Sequence, residues 1–405
     1  MVSFDNTEHA FAYKSTSELK KARFLFSTMG HSLILNTGLK LMPAVVKFKI
    51  PFSKPLIRKT IFSKFVGGEN LQQTAVVAHK LSRYHVQVIL DYGVEGGDDG
   101  EAGFDHATEE FIRVVDYAAT QPNIPYMSIK VTGIARFALL EKMDAFMHEG
   151  ESTLMKRYSR AFEKLSASEQ EEWKKIVSRL QRICATAAGK NIGVLVDAEE
   201  TWIQDPVDAI TMLMMDAYNR EKAVVFNTMQ LYRHDRLAFL IDSLTAARER
   251  NFILGAKLVR GAYMEKERER AAEKGYPSPI QPNKDATDHD YDAAIRFCID
   301  NISQVAVIVA SHNEQSNLLA TKLLDEKKLP HDHPHVHFSQ LYGMSDNITF
   351  NLAKAGFSVS KYLPFGPIED VIPYLMRRAV ENSSVAGQTG RELGLIKKEL
   401  ERRGG

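Results

Sequence analysis

Beyond residue 85 the chain alternates between short apolar runs and longer amphipathic stretches. The apolar runs have the length and the β-branched or aliphatic composition of strands that are buried on both faces. Amphipathic stretches with helical spacing follow several of them, at 235–250, 288–301, 314–327 and 368–382. Strands that alternate with helices are typical of parallel sheets with right-handed crossovers. The eight predicted strands are 86–91, 126–133, 192–198, 223–230, 253–260, 305–310, 336–341 and 357–362.

Eight strand–helix units predict an α/β fold, a TIM-like (β/α)8 barrel that is distorted by added helices. The helical stretch 137–188 is longer than one crossover requires, so we predict a helical insertion after the second strand. The predicted domains are a helical N-terminal arm (1–85), the barrel (86–390) and a C-terminal tail (391–405).

Length and composition are compatible with a large core, because the chain has 405 residues of which 44% are hydrophobic. The formal charge of +1 gives no argument for a nucleic-acid partner. Two cysteines do not suggest a disulfide framework or a cysteine metal site, which favours a reducing compartment and a cytoplasmic location. The polar N-terminus does not resemble a secretory signal, and no apolar run approaches the length of a membrane span.

One stretch is strongly basic. Between Glu18 and Glu69 there are ten lysines and arginines and no acidic residue, with apolar residues interleaved. Such a segment, about 20–68, is suited to peripheral contact with an anionic bilayer on the inner face of a membrane. It is equally suited to a helical arm that packs on the main domain and leaves its lysines in water.

The barrel hypothesis predicts where polar side chains should cluster, since active sites of such barrels lie at the carboxyl ends of the strands. Each of the eight runs ends in polar or charged residues, and the acid-rich Asp197-Ala198-Glu199-Glu200 follows the third. A single polar residue at a strand end is compatible with a cap on that strand. Polar residues at eight strand ends on one rim of the barrel favour an active site there. The residues of interest at the other ends include Lys130, Gln230, Lys257, Arg260, His312, Asn313, Leu341 and Tyr362.

A second cluster lies near the C-terminus. Tyr374, Arg377, Arg378 and Glu381 are spaced i, i+3, i+4 and i+7, so all four share one helical face. Each guanidinium can bind both oxygens of a carboxylate, so the pair is suited to a small carboxylate ligand. A solvated helix with a surface ion pair is the alternative; the aromatic residues on the same face favour an anion clamp.

Two basic sets suggest two anionic groups, a phosphate-bearing cofactor and a substrate carboxylate. The glycines at 93, 96, 97, 100 and 103 lack the GxGxxG spacing of a Rossmann dinucleotide site, and no Walker A sequence occurs. The four histidines of His331-Asp-His-Pro-His-Val-His337 alternate as in a strand; we interpret them as an approach to strand seven and predict no metal site.

These motifs together resemble the proline dehydrogenase (proline oxidase) family. The resemblance is carried by Lys257-Leu-Val-Arg-Gly-Ala-Tyr263, Asp197-Ala-Glu-Glu200, Ser311-His-Asn313 and the Arg377-Arg378 helix, in order from about residue 86 to 382. It implies a distorted (β/α)8 barrel with non-covalent FAD that oxidises L-proline to 1-pyrroline-5-carboxylate and passes the electrons to a membrane quinone.

The resemblance also implies roles for individual residues. A hydride would pass from the proline ring carbon beside the nitrogen to flavin N5, and the sequence identifies no base for the amine proton. Asp197 and Glu381 would hold the cationic side chains in place. The substrate would contact Lys130, Leu341, Tyr362, Tyr374, Arg377 and Arg378, and FAD would contact Ala198, Gln230, Lys257, Arg260, Gly261, Ala262, Tyr263, His312 and Asn313.

This chain departs from the family pattern at two positions near the flavin. Some relatives have an arginine where this chain has Lys257 and an aromatic residue where it has Met264. Two alternatives remain open from the residues alone. One is a hydroxyproline dehydrogenase of the same family, and the other is a non-catalytic barrel that binds proline.

Overall fold

The eight strands form a closed parallel barrel in chain order, which confirms the predicted (β/α)8 fold. The structure is a computed structural model that describes residues 2–29, 55, 57–93, 100–149, 153–384 and 386–404, without the side chains of 28, 29, 379–384 and 386–389. The strands are β1 Gln87–Tyr92, β2 Tyr126–Ile129, β3 Gly193–Val196, β4 Val225–Gln230, β5 Leu254–Val259, β6 Val305–Ala310, β7 Val336–Leu341 and β8 Val359–Phe365.

Helices follow the strands where amphipathic spacing predicted them. Within the described residues we number them α1 Thr7–Phe11, α2 Thr16–Met29, α3 Ser63–Phe65, α4 Leu71–Ser82, α5 Gly100–Ala119, α6 Phe137–Met147, α7 Leu154–Lys164, α8 Ala167–Lys190, α9 Thr201–Tyr218, α10 Arg236–Arg250, α11 Met264–Lys274, α12 Lys284–Asp300, α13 Glu314–Glu326, α14 Asp346–Lys354, α15 Ile368–Ser384 and α16 Ala386–Arg402. A π-helical turn, Arg58–Phe62, leads into α3, and a 3-10 turn, Val131–Gly133, follows β2.

The predicted insertion after the second strand consists of the three helices α6, α7 and α8. The longest, α8, begins with a capping box in which Ser166 and Glu169 satisfy each other's backbone N–H groups. It ends at Asn191, whose left-handed backbone (φ 59°) terminates the helix. Three helices therefore separate β2 from β3, where one would complete a crossover.

The chain divides into two compact units. One contains Val94–His337, and the other joins Met1–Gly93 to Phe338–Gly405. This division differs from the predicted boundaries, because the N-terminal arm, β1, β8 and the C-terminal residues belong to the same unit. Residues 391–404, predicted as a tail, lie largely in α16, which packs through Leu395, Ile396 and Leu400 against α1 and α2.

Three strands have carboxyl ends that differ from the predicted positions by two residues or more. β2 ends at Ile129 and continues as a 3-10 turn, so it is shorter than the predicted 126–133. β3 ends one residue before Asp197, which lies at the start of the following loop. β8 extends to Phe365, beyond the predicted end at residue 362, because Asp91 of β1 pairs with Pro364 of β8.

Within the part of the chain that the structure describes, no helix has both the length and the apolar character needed to cross a membrane. Most of the basic segment predicted for contact with lipid, at 30–54 and 56, lies outside the described residues. The exposed Lys20, Lys21 and Arg23 lie within the described helix α2.

Candidate active site

A buried aspartate joins two lysines where β2, β3 and β5 supply the side chains. Asp197 forms ion pairs with Lys257 and, at 3.8 Å, with Lys130. The Ser128 hydroxyl donates a hydrogen bond of 2.6 Å to Asp197 Oδ1. All three charged residues are more than 90% buried. The structure therefore brings Lys130, Asp197 and Lys257 together, as the barrel hypothesis requires of residues at neighbouring strand ends.

The electrostatics of this group keep the carboxylate ionised. Burial alone would raise the pKa of Asp197, but the charges of Lys257 and Lys130 outweigh that effect and lower the pKa to about 2. The group is therefore one carboxylate and two ammonium groups at neutral pH, with a net positive charge. Such a group is suited to an anionic ligand.

Ser128 was missed by sequence reasoning, although a signal for it exists. Side chains two residues apart in an extended chain share a face, so Ser128 and Lys130 follow the same alternation. In the following 3-10 turn the Thr132 hydroxyl donates to both oxygens of Glu199, at 2.8 and 3.0 Å.

Gln230, the last residue of β4, has one half of its amide satisfied. Its Nε2 donates to the backbone carbonyl of Glu199 at 3.0 Å. Its Oε1 is buried and has no hydrogen-bond partner among the residues that the structure describes. A buried amide oxygen without a donor costs free energy, so this acceptor is suited to a ligand N–H.

Arg260, which follows β5, is held by side chains from two other elements. Its guanidinium donates to Asp288 at 2.8 Å, to Ser311 at 2.7 Å and to Ser316 at 3.0 Å, and it lies 4.2 Å from the Tyr291 ring centroid. The side chain keeps 23% of its surface exposed. Arg260 therefore has a defined orientation while part of its surface remains accessible to a ligand.

The remaining residues predicted to contact a cofactor have different degrees of exposure. Asn313 is the N-cap of α13, and its Oδ1 accepts from the N–H groups of Gln315 and Ser316. Gly261 has φ +130°, and a Cβ there would lie 2.4 Å from the Tyr232 ring, so only glycine fits. Ala198, Tyr263, His312 and Asn313 are partly exposed, and Gly261 and Ala262 are exposed.

The predicted arginine helix is α15 in the other unit. Its first described turns bury Tyr374, and the guanidinium of Arg378 lies 5.3 Å from the centroid of that ring. Arg378 is 6% exposed, whereas Arg377 is partly buried. The burial of Arg378 against a tyrosine differs from the fully solvated helix of the alternative interpretation, whose surface ion pair would join Arg377 to Glu381. The side chain of Glu381 lies outside the described residues.

Leu341 and Tyr362 are the partly buried residues of β7 and β8 in this unit. Leu341 packs against a cluster that includes Tyr374 and Leu375. The N–H of Tyr342 donates to the carbonyl of Tyr362 at 2.9 Å, which ties the two strand ends together. The unit therefore supplies aromatic and aliphatic surface as well as two arginines.

Lys361, the neighbour of Tyr362 in β8, has protein partners of its own. Its side chain is fully buried, donates to the carbonyl of Met344 and pairs with Asp346 at 3.0 Å. Adjacent strand residues point to opposite faces, so Lys361 cannot share the face of Tyr362.

The histidine-rich segment has other partners than a metal. His331 contacts Asp325 at 2.8 Å, His335 contacts the carbonyl of Ile302 at 2.7 Å, and His337 packs edge-on against Tyr126. Within the described residues, no group of three or more histidines, cysteines or acids is arranged to hold a metal ion.

Comparison with known proteins identifies the family. The model of the family described as proline dehydrogenase matches residues 75–391, which is most of the chain. The chain belongs to the proline dehydrogenase family. The predicted family is thereby confirmed.

Curated relatives match most of this chain. The chain is 31% identical over 430 residues to "Proline dehydrogenase 1, mitochondrial" of Dictyostelium discoideum, covering 98% of this chain and 74% of that one. It is 33% identical over 365 residues to "Hydroxyproline dehydrogenase" of Xenopus laevis, covering 86% of this chain and 78% of that one.

Solved structures agree on the fold. Proline utilization A (PutA) from Bdellovibrio bacteriovorus, crystallised after inactivation by N-propargylglycine, superposes with a TM-score of 0.74 at 18% identity. The match covers 94% of this chain and 42% of that one, so the present chain spans about two fifths of the PutA length. At this identity the likeness shows a common fold.

Proposed function

We propose that this family member is a FAD-dependent oxidoreductase that converts L-proline to 1-pyrroline-5-carboxylate, the first step of proline catabolism to glutamate, with electrons passing to a quinone. The family match over residues 75–391 carries the proposal. The buried cationic side chains beside Asp197 and on α15 support it, because the cofactor carries phosphates and the substrate carries a carboxylate.

The residues around Gln230 fit a flavin. Oε1 of Gln230, which has no hydrogen-bond partner among the described residues, can accept a hydrogen bond from a ring N–H. The isoalloxazine ring has such an N–H group between its two carbonyls. Lys257 and Arg260 are assigned to the flavin ring and the pyrophosphate, with Ala198, Gly261, Ala262, Tyr263, His312 and Asn313 as further contacts. When FAD is bound it supplies the acceptor for the hydride that leaves the ring carbon beside nitrogen.

The substrate is assigned to the arginine helix. Arg377 and Arg378 are proposed to bind the proline carboxylate bidentately, with Lys130 as an additional cation. Tyr362, Tyr374 and Leu341 are proposed to contact the apolar ring. Each side chain is held by neighbours, so its main contribution is to orient the ring for reaction.

Asp197 is proposed to act on the lysines. Its low pKa keeps it ionised throughout the neutral range, so it can hold the Lys257 and Lys130 side chains in place by ion pairing. Glu381 is proposed to do the same for the arginines. No residue is assigned as the acceptor of the amine proton.

A flavin spectrum is the most direct test. The full-length protein, purified with FAD, is expected to be yellow and to lose its visible absorption when L-proline is added without oxygen. A protein that retains no FAD would contradict the proposal and favour a non-catalytic barrel. A yellow protein that proline does not bleach would contradict the substrate assignment alone.

Hydroxyproline dehydrogenation is the second candidate, and the 33% identity to the Xenopus laevis protein of that name supports it. One added ring hydroxyl would have to be accommodated beside Tyr362 or Leu341. Reduction of a dye by L-proline and by trans-4-hydroxy-L-proline, compared as kcat/KM, separates the two. A higher kcat/KM for hydroxyproline would replace the first candidate by the second.

The arginine assignment is tested by Arg378→Met. Loss of a charged hydrogen bond costs about 1.5–3 kcal/mol, which corresponds to an increase in KM for proline of on the order of 10- to 100-fold. FAD should remain bound. Arg113→Met is the matched control, because Arg113 is exposed and pairs with Glu110 one turn away. An unchanged KM for Arg378→Met would contradict the clamp.

The quinone acceptor, the cytoplasmic location and the contact of residues 20–68 with lipid stay predictions. Co-sedimentation of the full chain with vesicles of anionic and of neutral lipid tests the last of these. Binding to anionic vesicles that declines with added salt is the expected result. Equal recovery with both vesicle types would contradict it.

A further inference from the structure

Asp208 is a fully buried carboxylate on α9 that lies outside the residues assigned above. It accepts three hydrogen bonds, two at Oδ1 and one at Oδ2. The donors to Oδ1 are Gln204 and Asn227, each at 2.9 Å, and the donor to Oδ2 is Arg236 at 2.6 Å. Burial raises the pKa of Asp208, and Arg236 opposes this effect. A buried charge of this kind is costly unless neighbouring groups bind it, so Asp208 and its donors form one network.

The first residue that Asp208 holds is Gln204, one helical turn earlier. Gln204 uses both halves of its amide, since Nε2 donates to Asp208 and Oε1 accepts from the backbone N–H of Glu199 at 2.9 Å. Because the two halves face a donor and an acceptor, the amide has one orientation in this network. The loop between β3 and α9 is thereby connected to a buried carboxylate.

The loop in turn orients Gln230. The carbonyl of Glu199 accepts from Nε2 of Gln230 at 3.0 Å. Because the NH2 group of this amide is bound to Glu199, the position of its oxygen is fixed on the other branch of the amide. That oxygen, Oε1, is the buried acceptor without a partner among the described residues. Rotating the amide would place the NH2 group there and remove the bond to Glu199.

Asp208 also holds the strand that carries Gln230. Asn227 lies three residues before Gln230 on β4, so the two side chains point to opposite faces of the strand. The hydrogen bond from Asn227 to Asp208 therefore anchors β4 on the face away from Gln230. One carboxylate fixes both the strand of Gln230 and the loop that accepts its hydrogen bond.

We propose that Gln204 and Asp208 are positioning residues that fix the Gln230 oxygen as an acceptor for the flavin ring. The inference rests on the proposed FAD dependence and concerns residues that do not touch the cofactor. A purely structural role, as a cap for the first turn of α9, would affect stability and leave flavin affinity unchanged. The two roles therefore differ in a measurable quantity.

The test uses the full-length holoenzyme and the variants Gln204→Met, Gln230→Met and their double mutant. FAD released on dilution is measured by its fluorescence, which gives a dissociation constant, and the visible absorption bands are recorded for the bound flavin. Methionine has nearly the volume of glutamine but neither donates nor accepts as its amide does. Loss of one net hydrogen bond predicts that Gln204→Met raises the dissociation constant about three- to tenfold and shifts the bands.

Thr211→Val is the matched control, because Thr211 is fully buried on the same helix and donates within it to the carbonyl of Val207. It should lower the melting temperature without changing the FAD dissociation constant. The double mutant should match Gln230→Met, since Gln204 acts through Gln230.

A wild-type dissociation constant and spectrum in Gln204→Met, or additive effects in the double mutant, would overturn the inference while leaving FAD binding intact. A wild-type protein that binds no FAD would overturn the proposed function and the inference with it. If Gln204→Met does not fold, Asp208→Asn provides the same test, because Arg236 keeps Asp235 as its counter-ion.

Discussion

Two buried aspartates in this protein have nearly the same partners and different surroundings. Asp197 pairs with Lys130 and Lys257 and accepts from Ser128. Asp346 pairs with Lys14 at 2.6 Å and Lys361 at 3.0 Å and accepts from the Tyr13 hydroxyl at 2.9 Å. Each is thus one carboxylate between two ammonium groups and a hydroxyl.

The difference is where the partners come from. The Asp197 group uses side chains at the ends of β2, β3 and β5. Asp346, the first residue of α14, is joined to Lys361 inside β8 and to Lys14 near the N-terminus, so it connects segments more than 300 residues apart in sequence. Its side chain and that of Lys361 have no exposed surface, whereas that of Asp197 keeps 11%. The same chemical group is thus suited to ligand binding in one case and to holding the fold together in the other.

The largest expected effect is on stability, from Asp346→Asn. Removing one partner of a buried ion pair leaves uncompensated charge, here on Lys14 and Lys361, and costs about 3–5 kcal/mol of the free energy of unfolding. Urea unfolding at pH 7 measures the loss. Burial raises the pKa of Asp346, but Lys14 and Lys361 outweigh it and lower the pKa.

The pH dependence gives a second readout of the same variant. A lowered pKa stabilises the fold above the unfolded value of about 4, and this stabilisation is lost as the pH falls through the folded pKa. The difference between wild type and Asp346→Asn should therefore narrow below about pH 4. A constant difference down to pH 3 would contradict the assigned ionisation.

The next effect is on catalysis, from Asp197→Asn. Displaced lysines should lower kcat/KM for proline, per bound flavin, on the order of 100-fold. Asp346→Asn, measured per folded molecule, should stay within a few-fold of wild type. A larger loss of kcat/KM in Asp346→Asn than in Asp197→Asn would contradict the roles assigned to the two aspartates.

A smaller effect is expected for His337, whose ring is buried beside Tyr126; burial lowers its pKa to about 3. The unfolded state binds a proton below about pH 6.5, so stability is lost as the pH falls from 6.5 toward 3. His337→Gln should therefore lose less unfolding free energy between pH 7 and pH 4.5 than wild type does. An equal loss in both proteins would contradict the prediction.

The smallest effect is expected for an exposed pair of the same composition. Asp116 lies 3.2 Å from Lys190, and both side chains are about half exposed. Asp116→Asn should change the free energy of unfolding by less than about 1 kcal/mol. A loss comparable to that of Asp346→Asn would show that burial does not account for the difference between ion pairs in this protein.

Much of the barrel was predictable from the pattern of apolar positions. β6 and β7 have the predicted bounds, because continuous apolar or alternating runs bordered by polar residues mark strands that are buried. The end of β8 was not predicted, because Pro364 and Gly366 are typical of a turn. The parallel partner Asp91 and the bond from the N–H of Gly67 to the Pro364 carbonyl keep that segment in a strand.

The site was predictable in part for the same reason. Lys130 and Asp197 follow β2 and β3, and Lys257 lies in the second half of β5, so the predicted barrel indicates that they meet near one rim. Gln204 and Asp208 lie inside an ordinary helix, and nothing in their spacing indicates that they connect to Glu199 and Asn227. Such contacts depend on how α9 packs on β4.

The sequence by itself determined the eight strand–helix units, the family and the chemical types available at the strand ends. These depend on local periodicity and on motifs that are contiguous in the chain. Only the tertiary structure decided which lysine faces which carboxylate. Strand alternation separates Lys361 from its neighbour Tyr362, but it does not indicate that Lys361 meets Asp346. The surroundings then decided ionisation: the neighbouring lysines lower the pKa of Asp197 and of Asp346 against the effect of burial, whereas burial lowers the pKa of His337.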